Sequence, residues 1–110
     1  LNFSSVAAFL DSAGYALKII AEAIYDAFVV SVNALALALE NLGKAAVDVA
    51  RALLEGIAAT VTQVASALKN VFLATVDLAA SILKSIGVVL ADIVDVLSSV
   101  FFATLSVPLS

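Results

Sequence analysis

The chain contains no cysteine, no histidine, no methionine and no tryptophan, and it has a single proline. Without cysteine, disulfide bonds and thiolate metal sites are excluded, and without histidine the commonest metal ligand and general base is missing too. Only Asp and Glu remain for acid–base chemistry, so no nucleophile–base pair or metal-binding triad can be assembled. The sequence therefore predicts a protein that is not an enzyme and that holds no cofactor or metal.

Basic residues are also scarce. The chain has 5 Lys and Arg against 9 Asp and Glu, a net charge of −4, and its basic residues are scattered singly. No basic patch is available for a phosphate backbone. Nucleic acid is therefore not an expected partner.

What the chain has in excess is apolar surface. Hydrophobic residues make up 65% of its 110 residues, whereas a soluble domain has roughly 45–50%. A chain of this size forms one domain and buries only about two-thirds of its surface on folding. Much of the apolar excess must therefore meet lipid, another interface or further copies of the chain.

The absence of methionine, with a chain that begins at Leu1, predicts a mature product from which an N-terminal leader was removed. This favours an extracellular or cell-surface location. Association with a membrane is the alternative.

The segment ALENLGKAAVDVARALLEGI (38–57) returns 29 residues later as ALKNVFLATVDLAASILKSI (67–86), with nine of twenty positions identical. A shift of 29 residues is eight turns of helix at about 3.6 residues per turn, so both copies lie on one face of an unbroken helical register. Counting in elevens, or three turns, gathers the charges into one polar stripe. Its members are Asp11, Glu22, Lys44, Asp48, Arg51, Glu55, Asp77, Lys84, Asp92 and Asp95. Spacings of four, as in Glu40–Lys44, predict ion pairs along this stripe.

Opposite the stripe, another series of elevens has no polar member. It predicts an assembly core made of Val6, Leu17, Phe28, Leu39, Ala50, Val61, Phe72, Leu83, Val94 and Leu105. A series beside it stays small through the middle of the chain and predicts a flank for close helix packing. This flank consists of Ala23, Ala34, Ala45, Gly56 and Ala67.

Helix breaks are hard to place, because no cluster of Gly, Asn, Asp and Ser long enough for a loop occurs between Ser12 and Gly87. The stripe also keeps its phase across the glycines. The pattern therefore predicts an all-α fold: a single unit, 1–110, of one or two very long, nearly straight amphipathic helices packed against copies of themselves. A kink is expected near 85–88 and a tail at 106–110. The alternative is an antiparallel helical bundle.

These features predict a non-enzymatic structural protein that self-assembles through wide apolar helix faces into a filament or large helical oligomer, such as an extracellular appendage or fibre. The first alternative is a lipid-, membrane- or interface-coating protein, since the spacing of elevens resembles that of exchangeable apolipoproteins. Those coats carry a strongly charged, lysine-rich face that this chain lacks. A small bundle that carries an apolar ligand is the second alternative.

Overall fold

The computed structural model describes residues 2–102, which form seven short α-helices. These are α1 (Phe3–Ser12), α2 (Leu17–Ala27), α3 (Val32–Glu40), α4 (Ala46–Gly56), α5 (Val61–Asn70), α6 (Val76–Ser85) and α7 (Leu90–Phe101). The prediction of an all-α protein is confirmed. The prediction of one or two very long helices is wrong, because the longest helix, α7, has only 12 residues.

The turns were not recognisable because several of them are made of apolar residues. The turn before α5 reads IAAT (57–60), and the turn before α6 reads VFLAT (71–75). A residue with positive φ ends the helix in five of the six turns: Gly14, Gly43, Ala58, Leu73 and Gly87. In place of the kink expected near 85–88, the last of these turns separates α6 from α7.

Helix starts carry a clearer signal than helix ends. The side chains of Asn2, Ser31 and Thr60 cap α1, α3 and α5 by accepting a hydrogen bond from a backbone N–H three residues on. Thr60 and Gln63 form a complete capping box, in which the glutamine side chain accepts the N–H of Thr60 at 3.0 Å. These caps satisfy backbone donors that a helix start leaves free.

The polar stripe keeps its phase because each helix and its turn together occupy a whole number of helical turns. Successive helices begin 14 or 15 residues apart, which is about four turns at 3.6 residues per turn. Each new helix therefore starts with nearly the same face turned to solvent as the helix before it. A continuous rod and a chain of short helices give the same hydrophobic periodicity at this length.

The odd-numbered helices lie side by side in a parallel row. Near the ends of α1 and α3, Asp11 Oδ1 of α1 lies 2.8 Å from Lys44 Nζ in the turn that follows α3. Near the ends of α5 and α7, Lys69 Nζ of α5 donates to the Val100 carbonyl of α7 at 2.9 Å. Because like ends meet, the alternative of an antiparallel bundle is also wrong for this row.

The even-numbered helices α2, α4 and α6 each pack on the odd helices before and after them. Within the described residues, every helix contacts only helices one or two places away in the chain. The packed body measures 52 × 24 × 21 Å. One odd and one even helix therefore form a unit that repeats along the molecule, the organisation of a solenoid protein.

The core follows this repeat. The odd helices begin 29 residues apart, and two positions of each unit, the core positions, hold large aliphatic residues. They are Val6, Leu35, Val64 and Ile93 at the first position and Leu10, Leu39, Leu68 and Leu97 at the second. Those in α3, α5 and α7 are buried, and the even helices add Ile20, Ile24, Leu53 and Leu83 to the same cluster.

The glycine turns give the first prediction. Gly43 has φ +83°, and a Cβ there would meet nothing within 4 Å, so Gly43→Ala should destabilise by about 1 kcal/mol for conformational reasons alone. Leu73 has φ +55° and is 79% exposed, so Leu73→Gly should stabilise by up to about 1 kcal/mol. Thermal or urea unfolding measures both. A stabilising Gly43→Ala would place that glycine inside a helix and contradict the turn.

The caps give the second prediction. Val89 occupies the N-cap of α7, where Asn2, Ser31 and Thr60 cap the other odd helices, and it makes no capping bond. Val89→Thr keeps the branched shape and adds the missing acceptor, so it should stabilise by about 0.5–1 kcal/mol. Thr60→Ala is the matched control and should destabilise by about 0.5–2 kcal/mol. If neither variant shifts the urea midpoint, the helix boundaries are misplaced.

Candidate interaction surfaces

Two further positions of the odd helices decide how they pack on one another. The first lies directly after the first core position and is occupied by Ala7, Ala36, Ala65 and Val94; we name these the forward positions. The second lies directly before the second core position and is occupied by Phe9, Ala38, Ala67 and Val96; these are the backward positions. Alanine at five of the eight positions lets neighbouring helices approach closely.

Exposure at these positions depends on which neighbours a helix has. The forward positions of α1, α3 and α5 are 0% exposed, whereas Val94 in α7 is 54% exposed. The backward positions of α3, α5 and α7 are at most 5% exposed, whereas Phe9 in α1 is 71% exposed. Forward positions are therefore covered by the next odd helix and backward positions by the previous one. Val94 and Phe9 are exposed because no odd helix lies beyond them in the described part of the chain.

The grooves between odd helices repeat in the same register. One groove is lined by Val32 and Asn33 of α3 together with Gln63 and Ser66 of α5. The next is lined by the equivalent residues 29 positions on: Val61 and Thr62 of α5 with Asp92 and Asp95 of α7, joined by Val96 and Ser99. The forward side of one helix and the backward side of the next form each groove.

Each end of the row presents one half of such a groove. The outer surface of α1 is a shallow depression lined by Ser5, Ala8, Phe9 and Ser12; we name it the N-terminal face. The outer surface of α7 contains Leu90, Ala91 and Val94, all exposed; we name it the C-terminal face. Neither set contains a charged residue. These two uncharged surfaces are the strongest candidate sites on the molecule.

A third candidate is a groove beside α2 and α4 that contains both signs of charge. It is lined by Lys18, Lys44, Asp48, Arg51 and Glu55 along with apolar neighbours. Lys44 Nζ lies 2.8 Å from Asp11 Oδ1, and Arg51 donates to the Ser85 carbonyl at 3.4 Å. With acidic and basic groups interleaved, the groove has no strong field of one sign for a charged ligand. A partly exposed pair such as Lys44–Asp11 stabilises by only about 0–1 kcal/mol.

The Lys44–Asp11 pair also corrects an expectation drawn from a continuous helix. Glu40 was expected to pair with Lys44 four residues on. In the structure α3 ends at Glu40, and Lys44 lies in the following turn, from which it reaches Asp11 at the end of α1 instead. The observed ion pair joins one unit of the repeat to the next.

The residues of the predicted polar stripe lie on five helices and one turn. Asp11 and Lys44 are half-buried, and the other eight are exposed. Asp92 and Asp95 face α5 across their groove. The described residues contain no group of three or more acidic side chains able to hold a metal ion.

The predicted assembly core does not form one surface. Leu39, Ala50 and Leu83 are buried inside this chain, and Val94 is exposed. Val6, Leu17, Phe28, Val61 and Phe72 are half-buried against the core cluster, and Leu105 lies outside the described residues. Counting in elevens assumes one continuous helix and therefore assigns these residues to a single face. In the structure the turns place some of them in the core and one, Val94, at the end of the row.

The predicted close-packing flank is also divided among the elements. Ala23 and Ala45 are exposed, Ala34 is half-buried, and Ala67 is the buried backward position of α5. At Gly56 a neighbouring backbone comes close. A Cβ built on it would lie 2.6 Å from the carbonyl oxygen of Lys18, at the start of α2.

The series of elevens did not identify the end faces, although the 29-residue repeat contained the signal. Aligning residues 2, 31, 60 and 89 places Asn, Ser, Thr and Val together, which is an N-cap signature for three of the four helices. With the helix starts fixed, Phe9 and Val94 stand out as large residues in columns otherwise dominated by alanine.

No family model, curated protein or solved structure matches this chain.

Gly56 gives the third prediction. Gly56→Ala should destabilise by about 1–3 kcal/mol, since the added methyl group forces α4 away from the Lys18 carbonyl. Ala27 is the equivalent last residue of α2 and is exposed, so Ala27→Gly measures the intrinsic glycine–alanine difference at a helix end without the contact. Urea unfolding of both variants separates the two effects. A neutral or stabilising Gly56→Ala would show that α2 and α4 are not in close contact.

Proposed function

We propose that this protein is a non-enzymatic structural protein that assembles with copies of itself. The observation that carries the proposal is the exposure of Phe9 and Val94 on the N- and C-terminal faces. Positions equivalent to them are fully covered elsewhere in the row. The sequence places larger apolar residues where a neighbouring helix is absent.

Repeat proteins that remain separate from one another end differently. Their terminal units carry a polar outer face, because an uncapped end exposes the apolar surface that the next unit would cover. On the outer helices of the described row the exposed positions are apolar. Leu90, the equivalent of Val61 and Val32, is 75% exposed in α7. Covering a side chain the size of Leu or Phe stabilises by about 1.5–3 kcal/mol, which favours association through these faces.

The assembly surface differs from the one expected for a long helix. The predicted core series included Leu39, Ala50 and Leu83, which the fold uses for itself. Among the described residues, the surfaces that we propose for contact between copies are the two ends of the row. The net charge of −4 opposes association only weakly at these ends, because neither face carries a charge.

A coat on a lipid or other apolar surface is the second candidate, favoured by apolar side chains exposed in the turns. Val29, between α2 and α3, is fully exposed, and Leu73, between α5 and α6, is largely exposed. In the described residues no helix is long and apolar enough to cross a membrane. Contact with lipid would therefore use turns or end faces at the interface.

The fourth prediction tests self-assembly. Sedimentation velocity over a hundredfold concentration range, about 1–100 μM, should show species larger than the monomer, and Val94→Lys should reduce them because a buried ammonium group is costly. Thr62→Lys, on an exposed position in the middle of the row, is the matched control and should leave assembly intact.

Two results would contradict the proposal. A monomer at all concentrations would exclude self-assembly. If that monomer floated with phosphatidylcholine vesicles, and Val29→Ser weakened the flotation, the lipid-coating function would replace it.

A further inference from the structure

The two end faces are the complementary halves of one groove. The residues that α7 turns toward α5 are Asp92, Asp95, Val96 and Ser99. The residues on the N-terminal face are Ser5, Ala8, Phe9 and Ser12, and each lies 87 positions, or three repeats of 29, before its counterpart. The N-terminal face is therefore the surface by which an odd helix packs on the odd helix before it.

The C-terminal face supplies the other half. Within the chain, Val61 and Thr62 of α5 line the groove opposite α7, and their equivalents in α7 are Leu90 and Ala91. No helix of the described chain occupies that side of α7. The surface that would receive it is the backward side of an odd helix, and within the described residues the backward position is exposed only in α1, at Phe9.

We propose that copies of this chain stack head to tail, with the C-terminal face of one copy packed on the N-terminal face of the next. The row of odd helices then continues from α7 of the first copy to α1 of the second with the parallel orientation found between α5 and α7. This stacking rests on the self-assembly proposed above and specifies its surfaces and its polarity.

Continuity with the packing inside the chain favours this arrangement over a symmetric one. Joining two N-terminal faces would oppose two backward sides, a combination that occurs nowhere in the described row. Joining two C-terminal faces would oppose two forward sides. Head-to-tail stacking alone brings a forward side against a backward side, as α1–α3, α3–α5 and α5–α7 do.

The side chains at the proposed junction are larger than those inside the chain. Internal forward positions are all alanine, and the backward positions that face them are Ala38, Ala67 and Val96. At the junction Val94 meets Phe9, so α7 and the α1 of the next copy lie further apart than two internal odd helices. The contact uses the C-terminal face of one copy and the N-terminal face of the other, and it leaves the second face of each copy free. Further copies can therefore add at both ends, and the assembly stays open.

The fifth prediction uses two variants that each block one face, Phe9→Lys and Val94→Lys. Each variant alone should be monomeric in sedimentation velocity, with self-association weakened by more than about tenfold. Mixed in equal amounts, they should form a dimer of one copy each and nothing larger, because the free C-terminal face of Phe9→Lys binds the free N-terminal face of Val94→Lys. Circular dichroism and melting curves check that both variants are folded, as expected for exposed positions.

The other outcomes separate this inference from the proposed function. If the unmodified protein assembles but either variant alone still forms a dimer, copies meet face to face and head-to-tail stacking is overturned while self-assembly stands. The same holds if the mixture stays monomeric. If the unmodified protein is a monomer at every concentration, both proposals fail.

Cysteine cross-linking gives an independent measurement, because the chain has no cysteine of its own. Phe9→Cys and Val94→Cys, mixed and oxidised, should give a disulfide-linked dimer with one copy of each, identified by mass spectrometry. Each variant oxidised alone should give little or none. Efficient dimers of one variant alone would overturn the stacking.

Discussion

The structure depends on one constraint of length: a helix and the turn that follows it must together fill about four helical turns. Successive helices begin 14 or 15 residues apart, close to the 14.4 residues of four turns at about 3.6 residues each. Two helices with their turns make one 29-residue unit, so Leu39, Leu68 and Leu97 occupy equivalent positions, and all three are buried. The parallel row, the repeated groove and the matching end faces all follow from this regular 29-residue spacing.

The regular length of each helix with its turn also explains which features could be predicted from the sequence. The all-α class followed from a helical period that persists along the chain. The division into seven helices could not be predicted, because turns such as IAAT (57–60) contain no loop-forming residue apart from the capping Thr60. In addition, Ala58 and Leu73 adopt positive φ although they are not glycine. The periodicity of a four-turn unit is the same with or without a break. The signals that distinguish the two are the caps at Asn2, Ser31, Thr60 and Thr75 and the glycines in three of the turns. The capping residue types also suit a solvent-exposed helix face.

The candidate interaction surfaces could be predicted only in part from the sequence. Gly56 was assigned to a flank for close packing, and its Cα does lie against a neighbouring backbone. Phe9 and Val94 could not be identified without helix boundaries, because their meaning lies in the comparison with Ala38 and Ala65 at equivalent positions. In a repeat protein a side chain is buried only where a neighbouring unit covers it. Side chains at equivalent positions are therefore covered in the middle of the row and exposed at its ends. A single sequence shows the pattern but not the number of neighbours.

Charge and apolar surface act on different parts of this molecule. Charged side chains line the groove beside α2 and α4 and the groove between α5 and α7, whereas the residues of the two end faces are uncharged. In the proposed stacking, copies joined at their ends would keep their charged sides in water. The net charge of −4 per copy would then repel mainly over distances that salt screens, about 8–10 Å at ordinary ionic strength. Apolar contact at the junction acts at short range and does not depend on that screening. In the proposed assembly, sideways association would have to bury charged groups, whereas the end faces carry none, and this difference in desolvation would favour growth along the row.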